Sequence, residues 1–406
     1  MAVLCVLKEE CINVRRRHDR RCKRRGRRRK KPGRRGRIKT WHAKQKITMK
    51  ISKNYIKTLK FLIITALLMI ACPLHESGHT HSDSAVDMFH FSGRTITCGI
   101  DLGDDMKGAH GLETGLVYEL LKDFARDHNC TLRIMAGEKN ADYADSLRQG
   151  KIDMLVMHHE DAESEEGIIL SDSLIDCSSL AVCEGRTGHI REINDWLAEY
   201  TASEEFRKHK SLFLRTFNPI KRAEKGIRSD IVSPYDHFFR KYADELGWDW
   251  RMLAAVVYQE SKFSINSRSH RGAMGLMQVM PHTAAHYNIT DLIDPEQNLI
   301  AGTSQLKRLQ NLYIGSGMTT EERIRFTLAA YNAGEGRIKD CRNLARSQNL
   351  NAEEWDNIVK VIPLMNEDSI LTDDNVKLGK FKGTETIAYV ENVTALYDAI
   401  CKICPR

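Results

Sequence analysis

The feature that most constrains this 406-residue chain is a change of hydrophobic period near Pro234. Upstream, strand-like and helix-like runs take turns. Residues 95–100 alternate as a half-buried strand does, and over 116–128 Leu116, Leu120, Leu121 and Phe124 recur at helical spacing. A second strand is expected over 131–135, a short helix over 143–149 and a third strand over 152–157. Strands separated by helices pair in one direction, so this half reads as a small α/β unit with a parallel sheet. From Pro234 onward the two-residue period vanishes. Stretches 235–247, 250–260, 281–286, 295–313, 320–333, 352–361 and 384–401 all carry the helical period, which predicts an all-α unit.

Charge divides the chain again. The formal net of +8 suggests a polyanion-binding protein, but residues 1–48 alone hold 20 Lys/Arg against 3 Asp/Glu. That leaves 42 Lys/Arg against 51 Asp/Glu, a net of −9, for the rest. Taken at face value, the basic block from Arg15 to Arg37 is a nucleic-acid or nuclear-targeting tail. The residues just downstream outweigh that reading. Met49 is succeeded by Lys50, Lys53, Lys57 and Lys60, then by an apolar run over 61–71 that ends at Cys72, the three parts of a secretory signal. Such a signal works only at an N-terminus. Residues 1–48 are therefore expected to be an over-extended gene start, with 49–72 the signal and no nucleic-acid partner. The apolar run is short of the about 20 residues that a membrane span needs.

Leu68-Met69-Ile70-Ala71-Cys72 resembles a bacterial lipoprotein box. The resemblance implies lipid on the Cys72 thiol and a protein anchored in the cell envelope at the periplasmic face of the outer membrane. The alternative is an ordinary cleaved signal. Residues 73–93, rich in Ser, His and acid, read as a tether, with His75, His79 and His81 solvated rather than bound to metal. Seven cysteines lie beyond Cys72, an odd number that leaves at least one thiol unpaired within the chain. Residues 94–218, with Gly111-Leu112-Glu113-Thr114-Gly115-Leu116 and later Gly150-Lys151-Ile152-Asp153-Met154, resemble the first lobe of periplasmic solute-binding proteins. Little more than a hairpin precedes a segment, 193–217, that resembles that family's closing helix, so the second lobe is missing and the unit's ligand is unassigned. A basic connector, 219–233, contains Pro219 and Gly226 and leads into the helical unit, 234–406.

The chemistry is expected at one carboxyl. The apolar run 253–258 leads straight into Gln259-Glu260-Ser261, with no cationic partner read beside the acid. Burial disfavours a charged carboxylate, and a carboxyl kept neutral near pH 7 can protonate a glycosidic oxygen. An acid at a helix end is, on its own, far more often a solvated or capping residue. The downstream residues shift that balance: Gly275-Leu276-Met277-Gln278, then Met280-Pro281, and much later Ala330-Tyr331-Asn332-Ala333-Gly334. Glu-Ser followed by these motifs in this order resembles the soluble lytic transglycosylase family, and Ile362-Pro363, Glu385-Thr386 and Tyr389-Val390 match its closing segment. The resemblance implies a lysozyme-like, goose-type catalytic domain. Joined to a solute-binding-like α/β unit behind a signal, it resembles the membrane-bound transglycosylase F subgroup.

The resemblance also implies roles. Glu260 is the catalytic acid and base, acting on the MurNAc-GlcNAc bond of peptidoglycan glycan strands and leaving a 1,6-anhydro end. Ser269 and Gln278 contact the glycan, Met277 and Met280 line the cleft, and Tyr331 orients Glu260 or substrate. Asn332 shapes its loop, while Glu385 and Tyr389 support the site from behind. The plainer readings put Met277, Met280, Tyr331 and Tyr389 in the core and make Glu385 a helix-start acid. Gly275 and Gly334 are expected to allow close backbone approach. No metal or organic cofactor is implied. Two rival functions stay open: a hydrolase on the same fold, which needs a second acid such as Asp294 or Glu296 near the cleft, and a non-catalytic sensor built on the α/β unit.

Overall fold

The computed structural model describes residues 91–103, 112–136, 142–162, 165–175, 177–215 and 217–405. The basic leader, the signal-like segment with Cys72 and the three tether histidines lie outside the described residues.

The first half contains β1 (Thr95–Asp101), α1 (Glu113–Asp127), β2 (Thr131–Ala136), α2 (Tyr143–Arg148), β3 (Met154–His158), α3 (His159–Ala162), β4 (Ile168–Ile175), β5 (Ser178–Cys183), α4 (Thr187–Ala202) and α5 (Glu204–Phe213). Five strands form one sheet in the order β2-β1-β3-β5-β4. The parallel expectation holds for β2-β1-β3, where Cys98 sits opposite both Ile134 and Met154. The hairpin expected before residues 193–217 is β4-β5, and it joins the same sheet with β5 antiparallel to β3 and to β4, so the sheet is mixed. The reason is local. Only two residues, 176 and 177, separate β4 from β5, too few for a crossover helix, so the chain can only turn back on itself.

A short helix, α6 (Pro219–Glu224), comes next, then α7 (Asp236–Leu246), α8 (Trp250–Ser261), α9 (Pro281–His286), α10 (Pro295–Asn311), α11 (Thr320–Ala333), α12 (Glu335–Ser347), α13 (Trp355–Val361) and α14 (Thr384–Ile403). Local chemistry sets many of these ends. Asp249, Asp294 and Thr319 each cap a helix by accepting the backbone N–H two or three residues on, and Gly247 closes α7 in the left-handed region. The connector differs from a plain linker: Asn218 caps α6, which packs against α14, and the Ser229 N–H donates to the Ile403 carbonyl at 2.8 Å.

Helix α8 runs through the centre of the helical half. Leu253, Ala254, Ala255, Val256 and Val257 have no exposed surface, because α7 and α14 cover the helix. Each large aliphatic side chain so buried is worth about 1.5–3 kcal/mol. Apolar on all sides, α8 is a core helix, and its last turn carries Glu260. The apolar core continues without a break into the α/β half. Gly115 on α1 lies so close to Phe213 and Tyr235 that a Cβ there would stand 2.7 Å from the Tyr235 oxygen. The Tyr118 hydroxyl donates to Asp294, and Asn266 donates to the Thr114 oxygen and the Gly103 carbonyl.

Candidate active site

At the end of α8 the chain must turn sharply, and Lys262 and Phe263 both adopt positive φ, 55° and 71°. Ser261 fastens this corner. Its buried hydroxyl is 2.8 Å from the Leu276 carbonyl and 3.2 Å from the Val257 carbonyl of its own helix. In the sequence Ser261 stands only as part of a motif; the structure gives it the tie between the acid's helix and the Gly275 loop.

That loop is closed by two isolated bridges, Arg268 with Met274 and Met274 with Val279. Gly275 has φ of +74°, and a Cβ there would fall 2.2 Å from the Asn298 amide nitrogen and 2.4 Å from the Leu292 carbonyl, so close approach requires glycine. Gly334 differs: nothing lies within 4 Å of its Cβ position, and its φ of +90° is what excludes a side chain. Fully buried Asn298 clamps the loop by accepting the Met277 N–H and donating to the Met274 and Leu292 carbonyls. No short motif marks it, because its partners lie 6, 21 and 24 residues away.

The predicted glycan contacts sort into three groups. Ser269 and Gln278 are partly exposed but also hold their own loop: the Ser269 oxygen accepts the Ala273 N–H, and the Gln278 amide donates to the Ser267 and Gly275 carbonyls at 3.0 and 3.1 Å. Met280 is partly exposed just before α9. Met277 is fully buried, with its side chain lying where a Cβ on Gly302 would go. It packs the core instead of lining the cleft, because the Asn298 clamp and Gly302 draw it inward.

Tyrosines from two other helices meet the site. Tyr331 on α11 donates to the Met277 carbonyl at 2.8 Å, and buried Tyr389 on α14 donates to Glu260 Oε1 at 2.6 Å. The hydroxyl that orients Glu260 is thus Tyr389's, while that of Tyr331 is spent on the loop. Thr386, one turn before Tyr389 and without a role legible in the sequence, donates to Asn332 and couples α14 to the end of α11. Glu385 is exposed in the first turn of α14, where a helix-start acid sits.

Glu260 keeps some solvent contact as a residue, yet its carboxyl lies deep. Burial raises its pKa from 4.5 to about 7, against the opposing pull of the Tyr389 hydroxyl and the Lys262 ammonium. The expectation of an acid without a cationic neighbour therefore fails: Lys262 stands close enough to act, and its ammonium also lies 4.4 Å over the Tyr258 ring. Burial in turn pushes the Lys262 pKa down. At neutral pH the Glu260 carboxyl is poised to give a proton and take one back. The two acids considered as a second catalytic group are committed elsewhere. Asp294 caps α10 and accepts from Tyr118, and Glu296 pairs with Lys241 at 2.7 Å and Tyr242 at 2.8 Å.

Comparison with known proteins bears on this arrangement. Residues 237–354 match the family described as Transglycosylase SLT domain. The chain is 30% identical over 224 residues to the membrane-bound lytic murein transglycosylase F of Desulfosudis oleivorans, covering 54% of this chain and 49% of that one. It is 37% identical over 171 residues to the protein of the same name from Haemophilus influenzae, covering 42% and 34%. The matched region spans half or less of these relatives' own length. Among solved structures, the 70 kDa soluble lytic transglycosylase of Escherichia coli is 26% identical, with 42% of this chain and 24% of that one covered and a TM-score of 0.29.

Proposed function

Because residues 237–354 carry a transglycosylase SLT domain, we propose that this protein is a lytic transglycosylase that cuts the MurNAc-GlcNAc bond of peptidoglycan without consuming water. One observation supports the chemistry above the others: a single deep carboxyl, Glu260, with a pKa of about 7 and a tyrosine hydroxyl fixing one of its oxygens. Glu260 donates its proton to the glycosidic oxygen as the bond breaks. The carboxylate so formed takes the proton from the muramic acid C6 hydroxyl, whose oxygen closes onto C1 to give the 1,6-anhydro ring. The proton count balances with one carboxyl, whereas the common two-carboxylate hydrolases need a second to activate water. The substrate's N-acetyl group steadies the cation-like intermediate. Ser269, Gln278 and Met280 lie along the glycan, Tyr389 holds Glu260, and Tyr331 and Asn332 hold the walls.

In this reading residues 94–218 are a solute-binding-like unit reduced to one lobe, 219–233 a connector and 234–406 the goose-type catalytic domain. The protein acts in the envelope, anchored through lipid on Cys72 at the periplasmic face of the outer membrane. Among the described residues no helix is long and apolar enough to cross a membrane.

Mass spectrometry of the muropeptides released from purified peptidoglycan tests the reaction. Products lighter by one water than hydrolytic ones are expected, and Glu260→Gln abolishes their release. Hydrated reducing ends would mean a lysozyme-type hydrolase, and substantial turnover by the variant would remove Glu260 as the acid. Lipid labelling of the protein is lost in Cys72→Ala; labelling that persists refutes the anchor.

A further inference from the structure

Several of this protein's surface arginines are paired with acids. Arg308 pairs with Glu335, Arg342 with Glu353, Arg148 with Glu165 and Arg325 with Glu322. Over 215–231, by contrast, Arg215, Lys221, Arg222, Lys225 and Arg228 outnumber two acids, Glu224 and Asp230, and none of the five makes an ion pair among the described residues. Arg215 and Arg222 stand near enough that Arg222 is held below its usual pKa by burial and by its like-charged neighbour. This patch belongs to a chain that carries net negative charge beyond residue 48.

The same stretch exposes apolar surface. Of the six exposed large apolar side chains among the described residues, three fall here: Ile220 at 44%, Ile227 at 43% and Ile231 at 40%. Scattered single residues of this kind carry no meaning, but three within twelve positions and interleaved with unpaired cations are not scattered. The segment is also held in place. Helix α6 packs against α14, and the Ser229 N–H donates to Ile403, so these side chains project from an anchored element.

From this juxtaposition we infer that the connector, residues 217–231, is a docking surface for an anionic lipid bilayer. The cations meet the phosphate headgroups and the isoleucines enter the headgroup-acyl boundary, as lysine- and arginine-rich amphipathic segments do. A protein partner fits less well: such anchors favour aromatic residues beside arginine, and the large apolar side chains exposed here are all aliphatic. Each lysine or arginine held near such a surface contributes about fivefold in membrane affinity. The contact is separate from any lipid on Cys72 and independent of the proposed glycan cleavage. It lies against the helix that carries Tyr389.

The test must read the connector itself, since other segments of the full-length chain can hold it on vesicles. Amide hydrogen exchange of the full chain is monitored with phosphatidylglycerol vesicles, phosphatidylcholine vesicles and purified peptidoglycan. Protection over 217–231 with phosphatidylglycerol alone is expected. It is lost in about 0.5 M NaCl through screening, and lost in Lys221→Gln/Arg222→Gln/Lys225→Gln, whose thermal melt and muropeptide release match those of the wild type. The salt arm needs no variant. Free exchange of these amides in vesicle-bound protein overturns the inference, and so does equal protection by phosphatidylcholine. Protection by peptidoglycan instead of vesicles assigns the patch to the wall polymer and overturns it as well.

Discussion

Replacing Glu260 with Gln keeps the side chain's shape and its acceptor for the Tyr389 hydroxyl but removes the charge. The consequence for stability comes from burial. In the unfolded chain this carboxyl titrates near 4.5, and in the folded protein at about 7. Between those values the native state holds a proton that the unfolded state has released. The stability this group contributes is thus fully present below pH 4.5 and is lost as pH rises through 7. A tenfold change in proton affinity corresponds to about 1.4 kcal/mol, so by about pH 8 the wild type has lost roughly 3 kcal/mol relative to Glu260→Gln. Urea unfolding of both proteins from about pH 4.5 to about 8.5 measures the difference directly, and the other titrating groups largely cancel between the two. The curves are expected to meet near pH 4.5 and separate as pH rises, with the variant the more stable. A gap that stays constant with pH, or a wild type that gains on the variant, means the carboxylate is not penalised by its surroundings and refutes the reasoning.

Other outcomes rest on the same contacts. Tyr389→Phe removes a donor that favours the ionised Glu260; hydrogen bonds to charged groups contribute about 1.5–3 kcal/mol, so the alkaline limb of glycan cleavage moves up by roughly one to two pH units, and an unmoved limb refutes the role. Lys262→Met removes a cation that stabilises the carboxylate and shifts the same limb in the same direction, whereas a downward shift in the pH-rate profile contradicts the assigned sign. Gly275→Ala drives a Cβ into Asn298 and the Leu292 carbonyl at positive φ and destabilises the protein by at least about 2 kcal/mol, measured by chemical unfolding; a neutral result means the loop does not need this approach.

How much of the fold was legible depended on how local the signal was. Apolar residues recurring every three or four positions announced α8, α10, α11 and α14, and the alternation over 95–100 announced β1, because a helix or strand face repeats within a few residues. The direction of β4 and β5 was harder. A hairpin was legible ahead of residues 193–217, but that its second strand pairs antiparallel with β3 depends on contacts between distant segments. Glu260 was legible as an acid ending an apolar run, and Gly275 as a glycine that permits close backbone approach. The roles of Asn298 and Thr386 were not, and the choice between core and cleft for Met277 stayed open, since each is decided by partners on other elements.

The amino-acid order alone determined the change from α/β to all-α near Pro234, the acid at the end of a buried helix and the unbalanced charge of the connector. These are properties of composition and spacing, present before the chain folds. Only the tertiary structure decided which tyrosine reaches Glu260, that Lys262 tempers its charge, and that Asp294 and Glu296 are committed elsewhere. It also decided that the connector's cations make no ion pair among the described residues, beside a helix packed against α14. A carboxyl's proton affinity is set by what surrounds it in space, and for Glu260 those surroundings come from residues as far as 129 positions along the chain.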